Sequence, residues 1–386
     1  MNFIDRRAVA RSGTCRFTVV ESAQDFSDIG SAWQRLQRRA SGSHSLFQSY
    51  EWCSTWLGNL GSAFHPLVIA GFVNTELVFL WPLMTERRSR FPILHWLSEP
   101  YSQYGDVLAA PDLNVNAWMA AALPFIAAQG HFHGMHLRHV RHDASAFPFL
   151  SQQMQRVGEG TGAPYMDLRQ FADEAAYLAR YSKVQRRRRV KIRNDLERIG
   201  PLSFQTFHAG PALAATIDKA VAAKRRWLLD RALHSIPLEA DGLAAFLKAL
   251  ASQTDGDFKV VGTLLRAGDR DISFEIGFRF KDRHCGYVTA HDPELTDSSP
   301  ARLHMDLSQR HALAAGAAAF DLMVPTDPHK VSWSSDVTPV SDYWHPLSLA
   351  GEIHGRLYLN RLRPWLRRAY LASPVALRRA ASILLR

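Results

Sequence analysis

The sequence predicts a duplicated mixed α/β (α+β) fold, with mostly antiparallel sheets flanked by helices. Two observations carry this: strand–turn–strand units recur in both halves of the chain, and the elements around each unit follow in the same order. In the first half, HPLVIAGFV and ELVFLWPLM are apolar runs split by a polar turn at Asn74-Thr75. In the second, FKVVGTLLR and ISFEIGFRF flank the turn Gly268-Asp269-Arg270-Asp271. The helices SYEWCSTWLGNLG and DGLAAFLKALAS precede these units, and the extended runs LHWLSEPY and CGYVTAHDP follow them. Next come the alanine-rich helices VNAWMAAALPFIAAQG and PARLHMDLSQRHALAAG, closed by Gly130 and Gly316, the residue type at which helices terminate left-handed. MHLRHV and AAFDLMV are the closing strands.

Between the two units lie the strand-like APYMDL, a basic helix, the strand LSFQTF and the helix LAATIDKAVAAKRRWLLDRAL. In the basic helix, Tyr181, Val184, Ile192, Leu196 and Ile199 recur at three-to-four-residue spacing. That predicts an inward apolar stripe with the arginines turned outward, stopped by Gly200-Pro201. Domains are expected over 15–150 and 151–345, followed by an Arg-rich helical tail over 346–386.

With 47% hydrophobic and 21% charged residues, collagen-like and disulfide-framework classes are excluded and compact domains are expected. The formal charge of +10 is concentrated in two places. Residues 353–386 hold eight arginines with no lysine or acid, and residues 183–198 carry a net +6, so the rest of the chain is mildly acidic. Such patches attract phosphates, RNA, anionic lipid or an acidic ligand. The tail alternates Leu, Tyr and Trp with Arg, a composition suited to a lipid headgroup layer or to packing with snorkelling guanidinium groups. Cys15, Cys53 and Cys285 are far apart and odd in number, which predicts reduced thiols and a cytoplasmic protein, possible contact with the inner membrane face aside. The N-terminus lacks the apolar run of a signal peptide, and no stretch approaches ~18 uninterrupted apolar residues.

Five histidines fall within 131–142, but an extended strand throws them to both faces, so no metal is expected. No P-loop, G-x-G-x-x-G, H-E-x-x-H or G-x-S-x-G motif occurs, leaving nucleotide hydrolysis, dinucleotide redox and serine-hydrolase chemistry without support.

The best local site is the loop–helix junction TDSSPARLHMDLSQRHALAAG. Ser299 suits the N-cap and Pro300 the first helical position, with Leu303, Leu307, Leu313 and Ala314 as the inward stripe. A helix N-terminus presents unpaired N–H groups and partial positive charge to an anion, and a diphosphate is the natural guest. Upstream, Phe274, Ile276, Phe278 and Phe280 share one strand face and Glu275, Gly277 and Arg279 the other, which predicts a Glu275–Arg279 pair. The next strand places Tyr287, Thr289 and His291 on one face with Asp292 at its end, and Asp321, Lys330 and Trp333 follow the closing strand.

These features resemble a known family. FQSYEWCSTWLGNLG is similar to the F-x-x-x-W-x-x-x-W segment of GNAT-fold acetyltransferase-like proteins of the CelD type, named after cellulose biosynthesis. KVQRRRRVKIRNDLERIGPLSF is similar to the basic helix, glycine and strand that open their second half, and the stretch from ISFEIGFRF to DPHKVSW follows their acetyltransferase core. The resemblance covers most of 15–345. It implies tandem GNAT-like domains, as in FemABX-type aminoacyl transferases, and acetyl-CoA or another acyl-CoA as co-substrate. The chain departs from the family in having Pro300-Ala301 where Pro-Gly is usual, and in matching only Lys330 of a Gly-x-x-x-Tyr-Lys pattern.

The resemblance implies transfer of an acyl group to an amine or hydroxyl, for instance of a sugar, polysaccharide precursor or amino-acid derivative. The donor is expected against Thr289, Ser298, Ser299, Pro300, Ala301 and Arg302. Asp292, then His291 or Glu275, are the expected general bases, and Tyr287 the acid for the departing thiolate. Lys330, Trp333, Arg187 and Arg188 are expected to bind an anionic substrate group. Two other readings stand beside this one: an aminoacyl-tRNA-dependent transferase, and a catalytically silent partner of a membrane-bound polysaccharide synthase. The first half lacks an anion loop before its helix (AAPDLNVNAW), which places the donor in the second.

Overall fold

The computed structural model describes residues 15–40, 42, 44–253 and 257–373. They form two compact units, one through Gly162 and again over Thr338–Ser373, the other over Ala163–Val337. The strands are β1 (Cys15–Val20), β2 (Phe64–Val73), β3 (Glu76–Glu86), β4 (Ile93–Trp96), β5 (Leu108–Ala109), β6 (Gly134–Arg141) and β7 (Gln155–Asp167). They continue with β8 (Leu202–Phe207), β9 (Phe258–Ala267), β10 (Arg270–Phe280), β11 (Arg283–His291), β12 (Ala319–Asp321) and β13 (Asp336–Pro346).

In the first unit the strand order is β1-β2-β3-β4-β6-β13, antiparallel except for the parallel β4–β6 pair. Its helices are α1 (Ala23–Arg39), α2 (Tyr50–Leu60), α3 (Val115–Ala127) and α4 (Phe147–Gln153). A capping box between Ser22 and Asp25 starts α1, which buries Phe26, Trp33 and Leu36. Burial of Trp52 and Trp56 on α2 and of Trp118 on α3 builds an aromatic core over the sheet.

The second unit has the order β7-β12-β11-β10-β9-β8 with α5 (Glu174–Ala179), α6 (Lys183–Glu197), α7 (Gly210–Asp230), α8 (Ile236–Glu239), α9 (Leu243–Ala251), α10 (Pro300–Ala314) and α11 (Pro328–Val331). The run β8-α7-α9-β9-β10-β11-α10-β12 repeats β1-α1-α2-β2-β3-β4-α3-β6, including a parallel pair at the corresponding place, β11 with β12. The duplication is therefore structural. Beside β6 lies β13, from after the second repeat, while β12 pairs with the end of β7, from before it.

Three details depart from the sequence reading. Both faces of β10 are buried, so Glu275 and Gly277 do not lie on a wet face. Val184 is 75% exposed and Ile199 is also exposed, because α6 packs only through Ile192 and Leu196. The inward face of α10 carries His304, Asp306, Ser308 and Gln309 as well as Leu303, Met305 and Ala312, while Ala314 is exposed and Leu307 and Leu313 are only half-buried. The tail is helical through α12 (Leu349–Ile353), a π-helical stretch (His354–Leu362) and α13 (Arg363–Ala372); its expected continuation over 374–386 lies outside the described residues.

Candidate functional site

The site begins with a split in the second sheet. β11 and β12 pair only from Arg283–Ala319 to Cys285–Asp321, after which Gly286–His291 continue beside β10 alone. The β10–β11 register jumps from Ile276–Val288 to Gly277–Gly286, so Tyr287 is the extra residue of a β-bulge, which bends and twists the strand. Gly277 permits it: a Cβ there would lie 2.8 Å from the Cys285 carbonyl and 2.9 Å from His284 Nε2. On the other side β12 is led away. Asp321 accepts the Met323 N–H at 2.8 Å, Met323 is left-handed (φ 60°), and Lys330 Nζ donates to the Met323 and Val324 carbonyls at 2.9 and 3.0 Å. The result is a backbone edge on β11 with no strand across from it among the described residues.

The N-terminus of α10 follows directly. Ser299 is left-handed (φ 54°) and its hydroxyl makes no cap. Its N–H is taken by the Thr296 carbonyl at 3.1 Å, and the Arg302 N–H by the Ser299 carbonyl at 3.0 Å. Pro300 has no N–H, so the Ala301 amide is the one at this helix start lacking a backbone acceptor among the described residues. The expected cradle is thus narrower than the sequence reading had it: the Ser299 amide is occupied.

A cavity of about 140 Å³ opens here, bounded by α6, the start of α10 and the turn Ser332-Trp333. Arg188, Arg189 and Arg302 line it, with the Tyr181 and Trp333 rings as flat walls. Among the described residues neither Arg188 nor Arg302 meets a carboxylate. Burial, then the charges of Arg188 and Arg189, hold the Arg302 guanidinium below the usual arginine range. Arg188 and Arg302, like charges facing one cavity with no carboxylate of their own among the described residues, favour an anion in it.

Behind the cavity a polar network fixes Arg189. Arg189 pairs with Asp306 at 2.7 Å, and the Tyr181 hydroxyl donates to the same carboxylate at 2.7 Å. Tyr177 donates to Gln309 Oε1 at 2.7 Å, and Gln309 Nε2 donates to the Trp333 carbonyl at 2.9 Å. Burial, then the Asp306 charge, raises the Tyr181 phenol to about 12. The sequence reading missed this network, although Asp306 and Gln309 at i, i+3 facing Tyr177 and Tyr181 at i, i+4 is a legible signal.

The expected site residues divide. Asp292 is committed elsewhere: Oδ2 accepts from Arg270 at 2.6–2.7 Å, and Oδ1 caps the Glu294 N–H at 3.1 Å. Glu275, 2% exposed, pairs with His284 at 2.8 Å and not with Arg279. Burial pushes its carboxyl up, but the His284 hydrogen bond and the His284 and His304 charges reverse this and leave it below the ordinary range. His291 is half-buried; burial, then Lys224 and Arg231, hold it below the usual histidine value, so it is neutral near pH 7. Tyr287 is half-buried at the bulge, its ring 5.1 Å from Phe278, and Thr289 is exposed. Ser298 ends the turn Pro293–Ser298. Arg188 and Trp333 line the cavity, whereas Arg187 is exposed and does not. Lys330 shapes the turn after β12, and burial pushes its ammonium down to about 8. Lys224, not singled out in the sequence, is likewise lowered by burial and by Arg231, with its Nζ 4.3 Å from the Trp227 ring centre.

The corresponding place in the first unit is filled. Where β4 ends, the segment 97–107 crosses: the Gly105 N–H donates to the His139 carbonyl at 3.2 Å, Gln48 to the Tyr104 carbonyl at 3.0 Å, and Trp52 Nε1 to Ser98 at 2.8 Å. At the start of α3, Asn114 caps the Ala117 N–H with its own side chain.

Residues 171–331 match the family described as an acetyltransferase (GNAT) domain. Among solved structures, FemX aligns with a TM-score of 0.59 at 11% identity, over 89% of this chain and 99% of that one. A conserved protein of unknown function from Bacteroides thetaiotaomicron aligns with a TM-score of 0.51 at 12% identity, over 87% of this chain and 100% of that one. The C-terminal domain of an Agrobacterium fabrum protein described as a lysylphosphatidylglycerol synthetase gives 0.51 at 11% identity, over 85% and 93%. No curated protein matches the chain. Residues 171–331 thus match an acetyltransferase (GNAT) domain, and the chain as a whole shares the fold of FemX.

Proposed function

We propose that the second unit transfers an acyl group from a CoA thioester to an amine or hydroxyl acceptor. One observation carries the reading: the edge of β11, unpaired among the described residues, leads to a helix N-terminus flanked by two arginines that meet no carboxylate among those residues. A pantetheine arm carries amides that hydrogen-bond to a strand edge, and its diphosphate suits the Ala301 amide with Arg188 and Arg302. Ala301 lies within the first turn of α10, where alanine's backbone preference matches the helix, so the missing glycine does not bar that approach.

Backbone N–H groups of the bulge would polarise the thioester carbonyl, and alignment of donor and acceptor would supply much of the acceleration. Since Asp292 and Glu275 are committed to other partners, His291 is the base that takes the acceptor's proton, and Tyr287 gives one to the leaving thiolate. Lys224 and Arg231 near His291 favour an acceptor bearing a carboxylate or phosphate, such as a sugar phosphate or an amino-acid derivative. Calorimetry with acetyl-CoA tests the reading: saturable binding lost in Arg188→Ala/Arg302→Ala supports it, and no binding to the intact chain overturns it.

A second reading, transfer from aminoacyl-tRNA, is favoured by the outer face of α6. Lys183, Arg187 and Lys191 are exposed there, without carboxylate partners among the described residues, and a CoA has no use for them. Filter binding of tRNA over a salt series separates the two, because RNA binding falls steeply with salt.

A further inference from the structure

From Leu349 to Ala372 the chain is helical throughout. One side is anchored in the first unit: Leu359 is buried with Trp344 and Val157, and a Cβ on Gly355 would lie 2.4 Å from the Trp344 indole. The rest of the helix surface is unusually apolar. Leu349 is 79% exposed and Trp365 60%, and Ile353, Leu357, Leu362 and Leu366 are exposed with them. The four-to-five-residue spacing of Leu349, Ile353, Leu357, Leu362 and Leu366, with Trp365 next to the last, matters because the middle of the segment is π-helical. With i→i+5 hydrogen bonding, residues four to five apart stack on one side, so the spacing draws a stripe along the helix.

Arginines border it. Arg356 and Arg368 are exposed, and their pairs with Glu352 and Glu159 are solvent-facing and weak. Arg361 meets no carboxylate among the described residues, and the sequence from 353 onward holds eight arginines and no acid. No described helix is long and apolar enough to cross a membrane.

A partner that reads charge alone, such as RNA, leaves the apolar stripe unsatisfied, and an apolar protein groove leaves the arginines so. A bilayer surface with anionic headgroups satisfies both: apolar side chains enter the acyl boundary, the indole sits at headgroup depth, and guanidinium groups meet lipid phosphates. We propose that the helical segment 349–372 docks this protein in the plane of an anionic membrane. The surface is independent of the acyl-transfer site, and its test does not use that activity.

The test is flotation of the full chain with phosphatidylcholine vesicles, with and without about 30 mol% phosphatidylglycerol. Expected is binding to the anionic vesicles alone, about tenfold weaker for Trp365→Ser/Leu366→Ser and for Arg361→Gln/Arg368→Gln, with unchanged far-ultraviolet circular dichroism. Equal partitioning into neutral and anionic vesicles, or unaltered binding by the folded variants, overturns the proposal. So does displacement of vesicles by tRNA in the intact chain but not in the arginine variant, or a self-association that Trp365→Ser/Leu366→Ser abolishes.

Discussion

Arg189 Nη1 lies 2.7 Å from Asp306 Oδ1 while its guanidinium carbon sits 3.3 Å above the centre of the Tyr181 ring. One arginine thus joins α6 to α10 and forms a wall of the cavity. Its two partners are not equivalent to lose. Without Arg189, Asp306 keeps the Tyr181 hydroxyl and Arg310 Nη1 at 3.6 Å; without Asp306, Arg189 keeps only ring faces. Asp306→Ala is expected to cost about 3 kcal/mol in urea unfolding, and Arg189→Ala distinctly less, because a removed acid leaves a largely covered cation unpaired.

Arg188 and Arg302 face the same space from different helices. Either alanine variant is expected to weaken acyl-CoA binding by about tenfold with little change in thermal midpoint, as for one lost charge-assisted contact. Calorimetry beside a melting curve checks it, and a large fall in midpoint with unchanged affinity contradicts it.

His291 and Asp292 are adjacent but are expected to respond oppositely. His291→Asn should lower turnover by about a hundredfold, whereas Asp292→Asn should keep most turnover and lose stability, since it loosens Arg270 and the turn after β11. As burial and cations hold His291 below its ordinary 6.5, turnover should rise with pH on the acid side and be level by about pH 7. Initial rates across pH for the three proteins decide the matter.

Burial pushes His304, bonded to Thr263 at 2.7 Å, down to about 4. Between that value and its ordinary 6.5 the unfolded chain holds a proton that the folded chain does not, so stability falls as pH falls through this window. The loss should approach on the order of 3 kcal/mol, and His304→Asn should remove most of it. Urea midpoints at pH values spanning the window, for both proteins, test this.

Lys330 follows the same rule at higher pH. Burial lowers it to about 8 from 10.5, so between these values the unfolded chain is the one that holds the proton, and stability gains as pH rises. The stability difference between wild type and Lys330→Gln should therefore shift in favour of wild type from about pH 8 to 10, a comparison in which the tyrosines common to both proteins cancel.

The repeat was legible because it rests on periodicity: apolar strands with polar turns, and alanine-rich helices closed by Gly130 and Gly316. The start of α10 was legible for the same local reason, a proline and a glycine bracketing one amphipathic run. What sequence reasoning misplaced depends on contacts across long separations. Asp292 is held by Arg270, 22 residues away in the chain, and Glu275 sits under α10 against His284 where alternation alone predicts Arg279. Arg189 was counted among outward arginines since nothing local marks which residue of four in a row turns toward Asp306. The β11 bulge has a single cue, Gly277 opposite Gly286, which acquires meaning only once the strands are paired.

The exchange of closing strands bears on how the protein can be handled. The segment 171–331 that matches the family contains β12 but not β7, which pairs with it through Tyr165–Asp167. Expressed alone, that segment would carry a raw sheet margin of unmet amides and carbonyls, the kind that recruits neighbouring chains into precipitate. The transferase-type half is thus defined by its sequence as a cassette but not as an excisable one: a soluble minimal version must begin upstream of Tyr165.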